Sequence, residues 1–168
     1  ELKIKSSKES IFFCDWLFEA YHFKNKINNW KANHNLGGGP LRFYGIHLIA
    51  MLSVLGYEKV TYSKIFKNSE NFYFKWEATF ESELLPIFKI TLNTNSIPKR
   101  SFTIYSKDAY REETVISYKD PFDEEHSKGL SDKRTNILHK ILTDNSYKEK
   151  LIYYQKTIKL WRKCEEIN

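Results

Sequence analysis

Three consecutive glycines, Gly37, Gly38 and Gly39, precede Pro40 in the stretch "NHNLGGGPLRFYG", residues 33–45. Glycine-rich turns of this kind can cradle a phosphate. A cradle needs backbone N–H groups converging on the anion between a strand and a helix. It also needs Lys-Ser or Lys-Thr at the helix start, or a G-x-G-x-x-G spacing. Neither pattern is here. Pro40 removes one donor, and Arg42 is the only cation close by. The stretch therefore reads as a joint between two antiparallel helices, with its glycines supplying positive φ.

The other chemistry-bearing residues are scattered. His22, His34, His47, His126 and His139 include no H-x-x-x-H pair, and neither Cys14 nor Cys164 lies within four residues of a histidine. "KDPFDEEHSKG", residues 119–129, packs Asp120, Asp123, Glu124 and Glu125 beside His126 but lacks the alternating ligands of a calcium loop. It reads as a solvated acidic loop. Cys14, between Phe13 and Trp16, has an apolar setting that makes a thiol inert. There is no G-x-S-x-G, and neither Glu77 nor Glu81 is followed by the lysine of an E-x-K nuclease core. No catalytic, cofactor or metal site is predicted, and no small-molecule substrate.

Binding surfaces have more to work with. Aromatic residues make up 16% of the chain, an excess beyond what one core needs. "FYFKWEATFE" alternates, sending Phe72, Phe74, Trp76, Ala78 and Phe80 to one side and Tyr73, Lys75, Glu77, Thr79 and Glu81 to the other. Tyr73 and Lys75 on the wet face, extended by Tyr105 or Tyr118, resemble a platform on which nucleic-acid bases stack. The last helix carries Lys148, Lys150, Lys156, Lys159, Arg162 and Lys163, with Tyr147, Tyr153 and Tyr154 adding aromatic surface.

The elements that must position these groups follow from periodicity. A first helix is expected from about Ser7 to Ala32, opened by a Ser6–Glu9 capping box and striped by Phe13, Trp16, Leu17, Ala20, Phe23, Ile27 and Trp30. A second is expected from Pro40 to Gly56, apolar on most sides and so buried. From residue 59 the period shifts to two, through "KVTYSKIF", "FYFKWEATFE", "PIFKITLN", "SFTIYS" and "TVISY". Residues 106–133 are mostly charged and are expected to contain the long mobile loop. Ile137, Leu138, Ile141 and Leu142 mark a third helix. Leu151, Tyr154, Ile158 and Trp161 are the expected buried stripe of the fourth, opened by a Ser146–Glu149 capping box.

The predicted fold class is thus α+β: two N-terminal helices, a four- to five-stranded antiparallel meander, and two C-terminal helices packed on one sheet face. In "HLIAMLSVLGYEKVTY" a helix ends in a short turn and leads into the strands. This order resembles that of RWD-type modules, as a likeness of element order with no signature residue behind it.

Totals set the frame. The chain of 168 residues fits a single domain, and the absence of an initiating Met at Glu1 points to a fragment of a longer protein. A net charge of +6 suits an acidic partner or nucleic acid, though lysine dominates and dilutes the signal. Two cysteines make no disulfide framework, and no eighteen-residue apolar run exists, so an intracellular protein with no membrane partner is expected. Function is expected to lie in non-catalytic binding of another protein, with self-association allowed, through Tyr73, Lys75, Tyr153, Lys156, Lys159, Arg162 and Lys163. Nucleic-acid binding through the basic last helix and the exposed sheet face is the alternative, and an enzyme with a dispersed site the third.

Overall fold

A computed structural model describes residues 10–97, 101–118 and 147–167. The protein is α+β, built on one six-stranded mixed sheet of order β2-β3-β4-β1-β5-β6. Its strands are β1 (Ile11–Leu17), β2 (Lys59–Lys67), β3 (Tyr73–Glu81), β4 (Ile87–Asn93), β5 (Ser101–Lys107) and β6 (Glu112–Tyr118).

The first expected helix is not formed. Residues 11–17 are the strand β1, followed only by the short helix α1 (Tyr21–Lys24) and two 3-10 turns at Trp30–Ala32 and His34–Leu36. The physical reason lies in the same residues. Phe12, Cys14, Trp16 and Phe18 are all buried, so the segment alternates at period two, and its ring-rich composition favours a pleated surface. The Ser6–Glu9 capping box lies outside the described residues.

Nor is the sheet a simple meander. The five strands expected after residue 59 all form, but β1 inserts between β4 and β5, parallel to β4 and antiparallel to β5. The result is a β2-β3-β4 meander and a β5-β6 hairpin joined through an N-terminal strand. This departs from the element order of the RWD likeness, although the helix-to-strand passage at Gly56 is present. Of residues 106–133, the first thirteen complete β5, turn, and form β6. Residues 119–133 and the expected helix at 137–142 lie outside the described residues.

The register sets the core. Cys14 pairs with Ile90 and Ile104, Trp76 with Leu92 and Ile65, and Phe80 with Phe88 and Val60, so one face of five adjacent strands is continuous apolar surface. Burying each large side chain there is worth about 1.5–3 kcal/mol. Two of the polar groups buried there find partners: Trp76 Nε1–H donates to Ser63 Oγ at 3.1 Å and the Tyr57 hydroxyl to the Pro86 carbonyl at 2.7 Å.

Two helices cover this face. A π turn (Pro40–Gly45) runs into α2 (Ile46–Leu55), as Pro40 and Gly56 lead one to expect at its ends. The C-terminal helix α3 (Tyr147–Ile167) packs across α2 and β2. The glycine stretch is a joint, though from a 3-10 turn rather than a long helix. Gly37 and Gly39 take φ of +88° and +80°, as expected, while Gly38 is required for space: a Cβ there would lie 2.1 Å from the Trp30 carbonyl oxygen. No described helix is long and apolar enough to cross a membrane.

Candidate functional site

The rotation of α3 decides what the surface offers. Its buried residues are Leu160 and Cys164, with Trp161 half-buried. The stripe expected inside is therefore mostly outside: Leu151, Tyr154 and Ile158 are 40%, 50% and 45% exposed. Two groups fix this rotation. Thr157 Oγ1 meets Ser53 Oγ of α2 at 2.7 Å, and one turn from the C-terminus Glu165 is captured by the glycine joint.

That capture brings Glu165 to two groups of the joint more than 120 residues away in sequence. The Arg42 guanidinium donates to Glu165 Oε1 from Nε at 2.9 Å and to Oε2 from Nη2 at 2.8 Å, and its Nη1 donates to the His34 carbonyl at 2.8 Å. Bidentate pairs of this geometry are among the strongest polar contacts in proteins. His34 Nε2 lies 3.0 Å from Glu165 Oε2. Burial holds the His34 ring below its usual value, against the upward pull of the carboxylate. The neutral ring donates through Nε2–H and leaves its buried Nδ1, which has no hydrogen-bond partner, as a lone pair. Burial pushes the Glu165 carboxyl up, yet Arg42 and His34 outweigh it and keep the group ionised below the ordinary range. This trio clamps α3 to the joint. In the sequence Arg42 stands out only as the cation beside the glycines and His34 only as one of five scattered histidines, and no local signal connects either to residue 165.

With α3 so placed, an apolar groove of about 490 Å³ opens between it and α2. Ile46, Ala50 and Val54 line one wall, and Tyr153, Tyr154 and Ile158 the other, with His47 and Thr157 as its polar members. Val54 is 62% exposed, more than any other apolar residue of α2. Around the outer side of α3 a second, basic shelf is lined by Gln155, Lys159, Arg162, Lys163 and Glu166, and Ile158 belongs to both surfaces.

The expected site residues divide between faces. Tyr153 lies in the groove, and Lys159, Arg162 and Lys163 on the shelf. Lys163 is paired to Glu166 at 2.6 Å and Lys156 to Glu58 at 3.7 Å, whereas Lys159 and Arg162 form no ion pair among the described residues. Tyr73 and Lys75 do not share a surface. A register shift after Phe66 turns Tyr73 toward the helix layer, where its ring lies 5.5 Å from that of His34. Lys75 stays on the opposite sheet face, tied to Glu77 at 2.6 Å. The side chains of Tyr118, Tyr147, Lys148 and Lys150, and the Ser146–Glu149 capping box, lie outside the described residues.

The thiols take no part in either surface. Cys14 belongs to β1 rather than a helix, and burial pushes both it and Cys164 up to about 12. Among the described residues no group of three or more His, Cys, Asp and Glu side chains is placed to hold a metal ion. No protein-family model matches the chain, and no curated protein or solved structure matches it.

Proposed function

We propose that this chain is a non-catalytic interaction module whose α2–α3 groove receives an amphipathic helix from a protein partner. The observation that carries the reading is the exposed apolar wall of α3 facing Val54 across the groove, with Tyr153, Tyr154 and Ile158 all 45–50% exposed. A contiguous apolar patch of this kind costs solubility, and grooves between helices are a recurrent seat for a third helix. Tyrosines suit the role because each contributes a large contact area with only two side-chain torsions to immobilise.

Charge selects the occupant. Ile158 joins the groove to the shelf of Lys159, Arg162 and Lys163, so a helix with apolar residues at i, i+3, i+4 and i+7 and an acidic flank satisfies both. The test uses a labelled helical peptide of that design in fluorescence anisotropy, beside a peptide with the same apolar face and lysine flanks. Saturable binding of the acidic peptide is expected, weakened at least tenfold by Val54→Asp or Ile158→Asp. Equal binding of both peptides, or indifference to the two substitutions, contradicts the reading. A second copy of the chain as occupant would appear in light scattering as a concentration-dependent mass abolished by Ile158→Asp.

A further inference from the structure

The sheet face turned away from the helices carries a separate arrangement. Phe13 of β1 and Tyr105 of β5 are register partners, and their rings stack with centroids 5.0 Å apart and planes within 10°. Lys89 of β4, the partner of Phe13 on its other side, places its Nζ 5.9 Å from the Phe13 ring. Toward the β2 edge, Phe66 is flanked by Lys64 and Lys75, whose Nζ atoms are 5.2 and 5.0 Å from its ring. Three strand spacings, roughly 14 Å, separate the strand bearing Phe66 from that bearing Phe13, and the register sets Phe66 level with Leu17, four residues or roughly 13 Å along the strands from Phe13. Ring faces thus stand on both sides of the ammonium groups of β3 and β4, and no described helix packs over them.

At least four carboxylates share this face, and each is engaged: Asp15 accepts from the Tyr105 hydroxyl at 3.4 Å, Glu77 is held by Lys75, Glu81 by Lys59 at 3.3 Å and Glu112 by Lys107 at 3.8 Å. Lys64 and Lys89 form no ion pair among the described residues. An acidic peptide would use these lysines but has no flat surface for the rings. A duplex offers phosphates but keeps its bases stacked out of reach. A single strand offers both, with bases for the rings and phosphates for the cations.

We infer that the open sheet face binds single-stranded nucleic acid, stacking bases on the Phe13–Tyr105 pair and on Phe66 and holding phosphates with Lys64 and Lys89. The site is independent of the groove between α2 and α3, so either can fail without the other.

The test is fluorescence anisotropy of the full chain with labelled twelve-nucleotide oligo(U), oligo(dT) and a twelve-base-pair duplex, from low to moderate salt. Binding of either single strand, at least tenfold tighter than the duplex and weakening with salt, is expected, and the tighter of the two identifies RNA or DNA. Phe13→Leu and Tyr105→Leu should each weaken it by about 5- to 150-fold, the range for loss of one base–aromatic stack. Lys64→Gln with Lys89→Gln should lower the slope of log affinity against log salt by about 1.4, at roughly 0.7 per single-strand phosphate contact. That pair is superficial and keeps the test decisive if a leucine variant unfolds. Lys159→Gln with Arg162→Gln tests α3 as the alternative seat and should lower affinity and salt slope less than the sheet pair does. No binding at low salt, equal binding of the duplex, or a larger loss through the α3 pair than through the sheet pair overturns the inference.

Discussion

Arg42 holds Glu165 through two hydrogen bonds of 2.9 and 2.8 Å across 123 positions of sequence, and the pair sets which side of α3 meets the sheet. The groove and the shelf both follow from that rotation. Removing one partner leaves the other partly buried and uncompensated, a loss of about 1–3 kcal/mol. Glu165→Ala and Arg42→Met should each lower stability by that amount in urea titrations. A double-mutant cycle should show positive coupling, whereas additive losses would mean the contact does not form.

Acid should destabilise the fold in two stages. Burial, with Lys31 adding to it, holds His22 below 6.5, and burial holds His34 below the same value. The unfolded chain therefore binds more protons in that range, and stability falls as pH drops through 6.5 and below. Glu165 acts at lower pH. Its depressed carboxyl contributes stability above 4.5 that is lost as pH falls through its lower folded value. Thermal midpoints between pH 8 and 3 should be flat above neutrality, decline toward pH 5, and drop again below 4.5. Replacing His22 and His34 by glutamine should remove the first decline and leave the second.

Two neighbouring glycines should respond differently to alanine. Gly37 has positive φ but open space, so Gly37→Ala should cost about 1–2 kcal/mol of backbone strain. Gly38 lies against the Trp30 and Lys31 backbone, with only 2.1 Å to the nearest atom from a Cβ, and backbone must move to admit one. Gly38→Ala should be the more damaging of the two by urea titration. Equal losses would contradict the close approach.

The thiols offer a check on the core. With both cysteines buried and their thiols pushed to about 12, neither is nucleophilic near neutrality. A thiol reagent at pH 8 should label neither cysteine in the folded chain and both in urea. Rapid labelling of Cys14 in native conditions would mean that β1 is not the interior strand described.

How much of this was legible in the sequence depends on the range of the interaction involved. The strands after residue 59 announce themselves because β3 alternates without interruption, from Trp76 through Ala78 to Phe80. At β1 two periods coexist: Phe13, Trp16 and Leu17 fit a helix, while Phe12, Cys14 and Trp16 fit a strand. Tertiary pairing with β4 and β5 decides between them. In α3 the error was one of rotation. Leu151, Tyr154 and Ile158 form as regular a stripe as Leu160 and Cys164, and the choice rests on Glu165 reaching Arg42 and Thr157 reaching Ser53. The basic residues of the shelf could be read directly, since exposed lysines need no partner to be placed. Tyr73 could not, because a register shift in β3 turned it away from Lys75.

The most direct measurement follows amide and methyl resonances of the isotopically labelled chain while the acidic amphipathic peptide is added. The account predicts saturable shifts confined to Ile46, Ala50, Val54, Tyr153, Tyr154 and Ile158 and their shelf neighbours, with Phe13, Lys89 and Tyr105 unmoved. Shifts centred on the open sheet face, or none at all at peptide concentrations approaching a millimolar, would contradict it.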